Sequence, residues 1–195
     1  MAQVYSRIQN PWMPQGTALQ TNSPTPFYAK GEIGCSFNEQ NTGNSYLRVL
    51  LDSGATSATP IGAVAAGQLA YWKNQSSAIV TNDSRFADVG VSGAINRVAG
   101  IFALAVTAGG GVNGTDGQPL YYVCDLVIQS ASFPVQASTA LVGATATANT
   151  AANTANVVYN TGVTTAPPSQ PIGTFLSSTI TSGTAPVQVN VGFVQ

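Results

Sequence analysis

The residues of this chain whose types and spacing could support chemistry lie around one carboxylate, in the run Leu50-Leu51-Asp52-Ser53-Gly54-Ala55-Thr56. An aspartate at such a position can activate water when a second carboxylate lies beside it and the two share one proton. Because the chain has one clear copy of the run, this chemistry would require a homodimer.

This run resembles the active-site loop of aspartic proteases of the retroviral type. The resemblance implies that Asp52 would be the acid and base of the homodimer and that Ser53 and Thr56 would brace the loop. Those enzymes also need a glycine-tipped flap and a later apolar pair, followed by glycine, that supports the loop. Leu141-Val142-Gly143 matches the pair formally, but it lies in an Ala/Thr-rich stretch, and no flap hairpin falls at the expected spacing. The simpler interpretation is that 45–51 is a strand and Asp52-Ser53-Gly54 turns the chain. The homodimeric protease is kept as the less favoured alternative.

Other catalytic and metal-binding patterns are missing from the sequence. The chain contains no histidine, and its two cysteines, Cys35 and Cys124, are far apart. Two such cysteines cannot complete a zinc site, and no nucleophile has a histidine base. We therefore expect no metal, no cofactor and no enzymatic activity, and we interpret both cysteines as buried thiols.

The distribution of charge is the strongest signal of function. Only 7% of the residues are charged, and no Asp, Glu, Lys or Arg occurs from Leu126 to Gln195, whereas a soluble domain is typically about 25% charged. A long folded segment without charge indicates a protein packed against other copies or partners. The net charge of −1 predicts no binding to nucleic acid, because that affinity comes mostly from Lys and Arg.

Localisation signals are also lacking. The N-terminus has no apolar signal-peptide core, and the longest apolar stretch, 98–108, is too short to span a bilayer. These features predict a soluble protein that is made in a cytoplasm and does not bind membranes.

Residues 1–30 form a proline-rich segment, which favours extended structure over helix. Such an arm lies either across a neighbouring molecule or back on its own domain, and the sequence does not decide between the two. Its large apolar side chains are the interface candidates: Tyr5, Ile8, Trp12, Met13, Phe27 and Tyr28.

Residues 31–195 are predicted to form one β domain. Short runs rich in β-branched and aromatic residues indicate strands at 45–51, 68–72, 78–81, 97–106 and 120–128. Residues 60–70 could form one turn or a short helix. The Ala/Thr/Asn-rich region 136–170 could be a flexible loop or insertion, or a neutral strand, and 157–159 is its best strand candidate.

A weak internal repeat supports the choice of fold. The segment 98–104 leads through a turn to 119–123, and 171–177 leads to 186–191; each first segment contains a Gly-x-Phe sequence. The final strand alternates apolar and polar residues, as half-buried strands do. The predicted fold class is all-β, a β-sandwich or small β-barrel with an extended N-terminal arm and a long Ala/Thr/Asn-rich insertion.

Three segments are similar to small bacteriophage head proteins. They are Gly67-Gln68-Leu69-Ala70-Tyr71-Trp72-Lys73, Ile79-Val80-Thr81-Asn82-Asp83 and Val98-Ala99-Gly100-Ile101-Phe102-Ala103. The resemblance implies a β-rich capsid decoration (cement) protein, often a homotrimer, that lies on the capsid surface of the virion and binds the major capsid protein across neighbouring subunits. Such a virion is assembled in the host cytoplasm. A tail-tube, fibre or adaptor protein is the alternative, and it differs in copy number and location.

Overall fold

The computed structural model describes residues 4–6, 33–34, 36–38, 43–52, 64–82, 98–105, 121–148, 158–160 and 171–191. All regular structure in these residues is β-strand, which confirms the all-β prediction. The strands in chain order are β1 (Val4–Ser6), β2 (Ser36–Asn38), β3 (Ser45–Asp52), β4 (Leu69–Asn74), β5 (Ile79–Thr81), β6 (Val98–Phe102), β7 (Tyr121–Gln136), β8 (Thr145–Ala148), β9 (Val158–Asn160), β10 (Pro171–Phe175) and β11 (Thr184–Asn190).

Five of these strands close into a small barrel in the order β3-β5-β4-β6-β7, with β7 pairing back onto β3. The β3–β5 pairing is parallel, and the other four pairings of the ring are antiparallel. Closing the ring leaves these strands without free edges, which is how barrels avoid unpaired backbone groups. Outside the ring, β2 pairs with β3 and carries β1, so residues 4–6 lie on their own domain.

Alternate residues of the five ring strands fill the barrel interior, as the two-residue period of a strand requires. The members of this core are Leu47, Val49, Leu51, Val64, Ala70, Trp72, Ala78, Val80, Ala99, Phe102, Cys124, Leu126 and Ile128.

The sheet continues beyond the barrel and wraps over its outside. The second half of β7 pairs with β11, and β10, β8 and β9 follow in that order. A second core lies between this outer layer and the outer face of the barrel. It contains barrel residues such as Tyr46, Leu69, Tyr71 and Ile101, together with outer-layer residues that include Ile172, Phe175, Val187 and Val189.

Strands β4–β7 and β8–β11 have the same topology, and we call them the first and second units. Their strand orders are β5-β4-β6-β7 and β9-β8-β10-β11. The register also matches, including one bulge at the same place in both. In the first unit the paired residues of β4 and β6 are Leu69/Ile101, Ala70/Gly100 and Tyr71/Val98. In the second unit the corresponding pairs of β8 and β10 are Thr145/Thr174, Ala146/Gly173 and Thr147/Pro171.

The remaining pairings extend this equivalence to all four strands. In the first unit Trp72 pairs with Val80 and Phe102 pairs with Leu126; in the second unit the corresponding pairs are Ala148/Val158 and Phe175/Val187. The weak Gly-x-Phe repeat of the sequence is therefore one part of a four-stranded structural repeat.

The structure decides between alternatives that the sequence left open in two places. Residues 60–63 lie outside the described residues; in 64–70 a turn forms rather than a helix, since Val64 makes an isolated bridge, a turn follows, and β4 begins at Leu69. Gly67, at φ 83°, makes that turn, and the continuous run of buried apolar residues in 69–72 favours a strand that is covered on both faces. In the described part of 136–170 the strand alternative holds, because the region supplies β8 and β9 to the second unit, and β9 lies at the strand candidate 157–159.

The tight turn between Thr181 and Thr184 leads to a specific prediction. These two residues exchange backbone hydrogen bonds of 2.8 and 2.9 Å, and the central residues Ser182 and Gly183 have φ of 52° and 79°. Asn tolerates this left-handed region better than Ser does. We expect Ser182→Asn to stabilise the fold by about 0.5 kcal/mol, and thermal unfolding measures it.

Ser138→Asn is the matched control, because Ser138 is also exposed but does not have a positive φ. It should leave the midpoint of thermal unfolding unchanged. A lower midpoint for Ser182→Asn would contradict this account of the turn.

Candidate interaction surface

Asp52 is the last residue of β3, where it pairs with Tyr121 of β7. The rest of its motif, 53–56, lies outside the described residues. Leu141 and Val142, which would support a protease loop from beneath, are 52% and 61% exposed in a turn of the second unit. Among the described residues, no strand pairing joins this turn to β3.

Cys124 has the surroundings of an inert thiol. It is free and buried in the barrel interior. Burial raises the pKa of this thiol well above its usual value, the charge of Asp125 adds to the rise, and that of Arg48 opposes it. A thiol that stays protonated is a poor nucleophile and metal ligand. Cys35 lies outside the described residues.

Arg48 and Asp125 form a buried ion pair on neighbouring strands. They lie directly opposite each other in the β3–β7 register. The Arg48 Nε donates to Asp125 Oδ1 at 2.8 Å and Nη2 donates to Oδ2 at 3.0 Å, with the side chains 1% and 0% exposed. Such a bidentate arginine–carboxylate pair requires a specific geometry. It fixes the register in which β7 closes the barrel.

The described ranges contain neither a metal-binding cluster nor a membrane-spanning helix. Within them, no group of three or more His, Cys, Asp or Glu side chains could hold a metal ion. The same residues contain no helix long and apolar enough to cross a membrane.

Among the interface candidates of the N-terminal arm, the structure describes the backbone of Tyr5 alone. Tyr5 pairs with Phe37 of β2 in a parallel ladder. The other candidates, Ile8, Trp12, Met13, Phe27 and Tyr28, lie outside the described residues.

The outward-facing residues of the two units differ at equivalent positions, and this difference identifies a candidate interaction surface on the second unit. The outward-facing residues of the first unit are buried apolar side chains covered by the second unit: Leu69, Tyr71, Val98, Ile101 and Val127. The equivalent residues of the second unit are Thr145, Thr147, Pro171, Thr174 and Gln188. We call these five residues the neutral face.

The neutral face is polar but carries no charge. Thr145, Pro171 and Gln188 are exposed, Thr174 is partly exposed and Thr147 is buried. An exposed sheet face of a soluble monomer ordinarily carries Lys and Glu, which keep molecules apart. Because the face carries no ion that would have to lose its water, contact with another protein surface involves only a small desolvation free energy.

Four exposed aliphatic residues lie on two hydrogen-bonded segments of the second unit, one before β8 and one between β10 and β11. These residues, which we call the apolar tip, are Leu141, Val142, Leu176 and Ile180, with exposures of 52%, 61%, 42% and 36%. Hydrogen bonds hold its two segments together: the Gly143 N–H donates to the Phe175 carbonyl at 2.8 Å, and the Val142 N–H donates to Ser178 Oγ at 3.0 Å.

Sequence reasoning considered Leu141-Val142-Gly143 only as part of a protease and missed this surface. A usable signal was present, since two adjacent bulky aliphatic residues stand out in a stretch otherwise rich in Ala and Thr.

No protein-family model matches the chain, and no curated protein or solved structure is significantly similar to it.

Proposed function

We propose that this chain is a structural virion protein, specifically a capsid decoration (cement) protein that stabilises a bacteriophage head by binding across neighbouring capsid subunits. The observation that carries the proposal is the neutral face. In the first unit the equivalent positions are apolar and covered, whereas in the second unit they are polar, uncharged and largely exposed.

A shell is strengthened by contacts repeated many times over its surface. The centres of such interfaces are depleted of charge, because an ion that loses its water must find a well-placed partner. Thr, Gln and Asn can form hydrogen bonds to a partner or to bridging water at a much smaller cost. The neutral face and the charge-free stretch from Leu126 onward suit this use.

The resemblance to phage head proteins also supports the proposal. Its three segments fall on β4, β5 and β6, which are consecutive strands of the first unit. The partners that it implies are the major capsid protein and further copies of this chain, in a homotrimer. The protein would lie on the outer surface of the capsid.

Quantitative mass spectrometry of density-purified virus particles from the source tests this proposal. We expect a copy number comparable to that of the major shell protein, because decoration follows the shell lattice. A copy number in the tens would overturn the decoration role in favour of a tail-tube, fibre or adaptor protein. Absence from particles would overturn any virion role.

A further inference from the structure

We draw no further inference here: the strongest candidate, the edge of β9 that faces away from β8 and whose counterpart on β5 pairs with β3, carries none, because nothing in the described part of the chain shows which strand, of this chain or of a partner, covers it.

Discussion

Asp125→Ala is expected to lower the free energy of unfolding by about 3–5 kcal/mol, because it leaves the Arg48 guanidinium buried without its counter-ion. The two side chains are 0% and 1% exposed, so the remaining charge has no contact with water unless the structure around it moves. Urea denaturation, monitored by the fluorescence of the buried Trp72, measures the loss.

Replacing both partners tests whether the penalty comes from the unpaired charge. Arg48→Met/Asp125→Leu should be much less destabilised than Asp125→Ala, because no ion remains in the interior. Lys73→Met is the control for loss of a charge near the surface, with an expected effect within about 0.5 kcal/mol. A loss below about 1 kcal/mol for Asp125→Ala would mean that the guanidinium finds water or another acceptor.

Gly173→Ala is expected to cost about 3 kcal/mol or more, because the added methyl group has no space between two paired strands. A Cβ at this position would lie 1.9 Å from the Gln188 carbonyl oxygen of β11. That oxygen belongs to backbone, so relief requires β10 and β11 to separate. Thermal or urea unfolding measures the cost.

The repeat supplies a graded set of controls for this prediction. At Gly143 a Cβ would meet nothing within 4 Å, and only the φ of 78° opposes it, so Gly143→Ala should cost about 1–2 kcal/mol. Gly100 is the equivalent of Gly173, and a Cβ there would lie 2.8 Å from the Leu126 Cβ. The cost of Gly100→Ala should therefore lie between the costs of the other two substitutions. An equal cost for Gly173→Ala and Gly143→Ala would contradict the close-approach explanation.

The strands of the first unit were largely predictable because their patterns are local. Apolar and β-branched residues in 69–74 and 98–102 are bounded by turn formers, and the predicted boundaries differ from the observed ones by a few residues. The repeat was visible only at Gly100-Ile101-Phe102 and Gly173-Thr174-Phe175, where close approach of a neighbouring strand favours glycine. Elsewhere the two units differ in sequence because one is covered and the other is exposed.

The length of β7, the buried ion pair and the exposed surface depend on contacts between residues that are distant in the sequence. The composition of the chain does not reveal such contacts. β7 was expected to end at residue 128, yet it continues to Gln136, because its polar second half pairs with β11. The Arg48–Asp125 pair joins residues 77 positions apart, and only the register of β3 on β7 brings them together. The apolar tip was missed for a related reason, since exposure is a property of the folded surface.

The charge-free second unit has a consequence for the conditions that the proposed assembly can tolerate. Dissolved ions weaken an interface by screening its charges, over a Debye length of about 10 Å at 0.1 M salt. The neutral face and the apolar tip offer nothing to screen, and their residues do not titrate between about pH 2 and pH 9. A contact made through these two surfaces is held by apolar burial and neutral hydrogen bonds. Screening of charges and titration of side chains on these two surfaces therefore contribute nothing to the salt and pH dependence of such a contact.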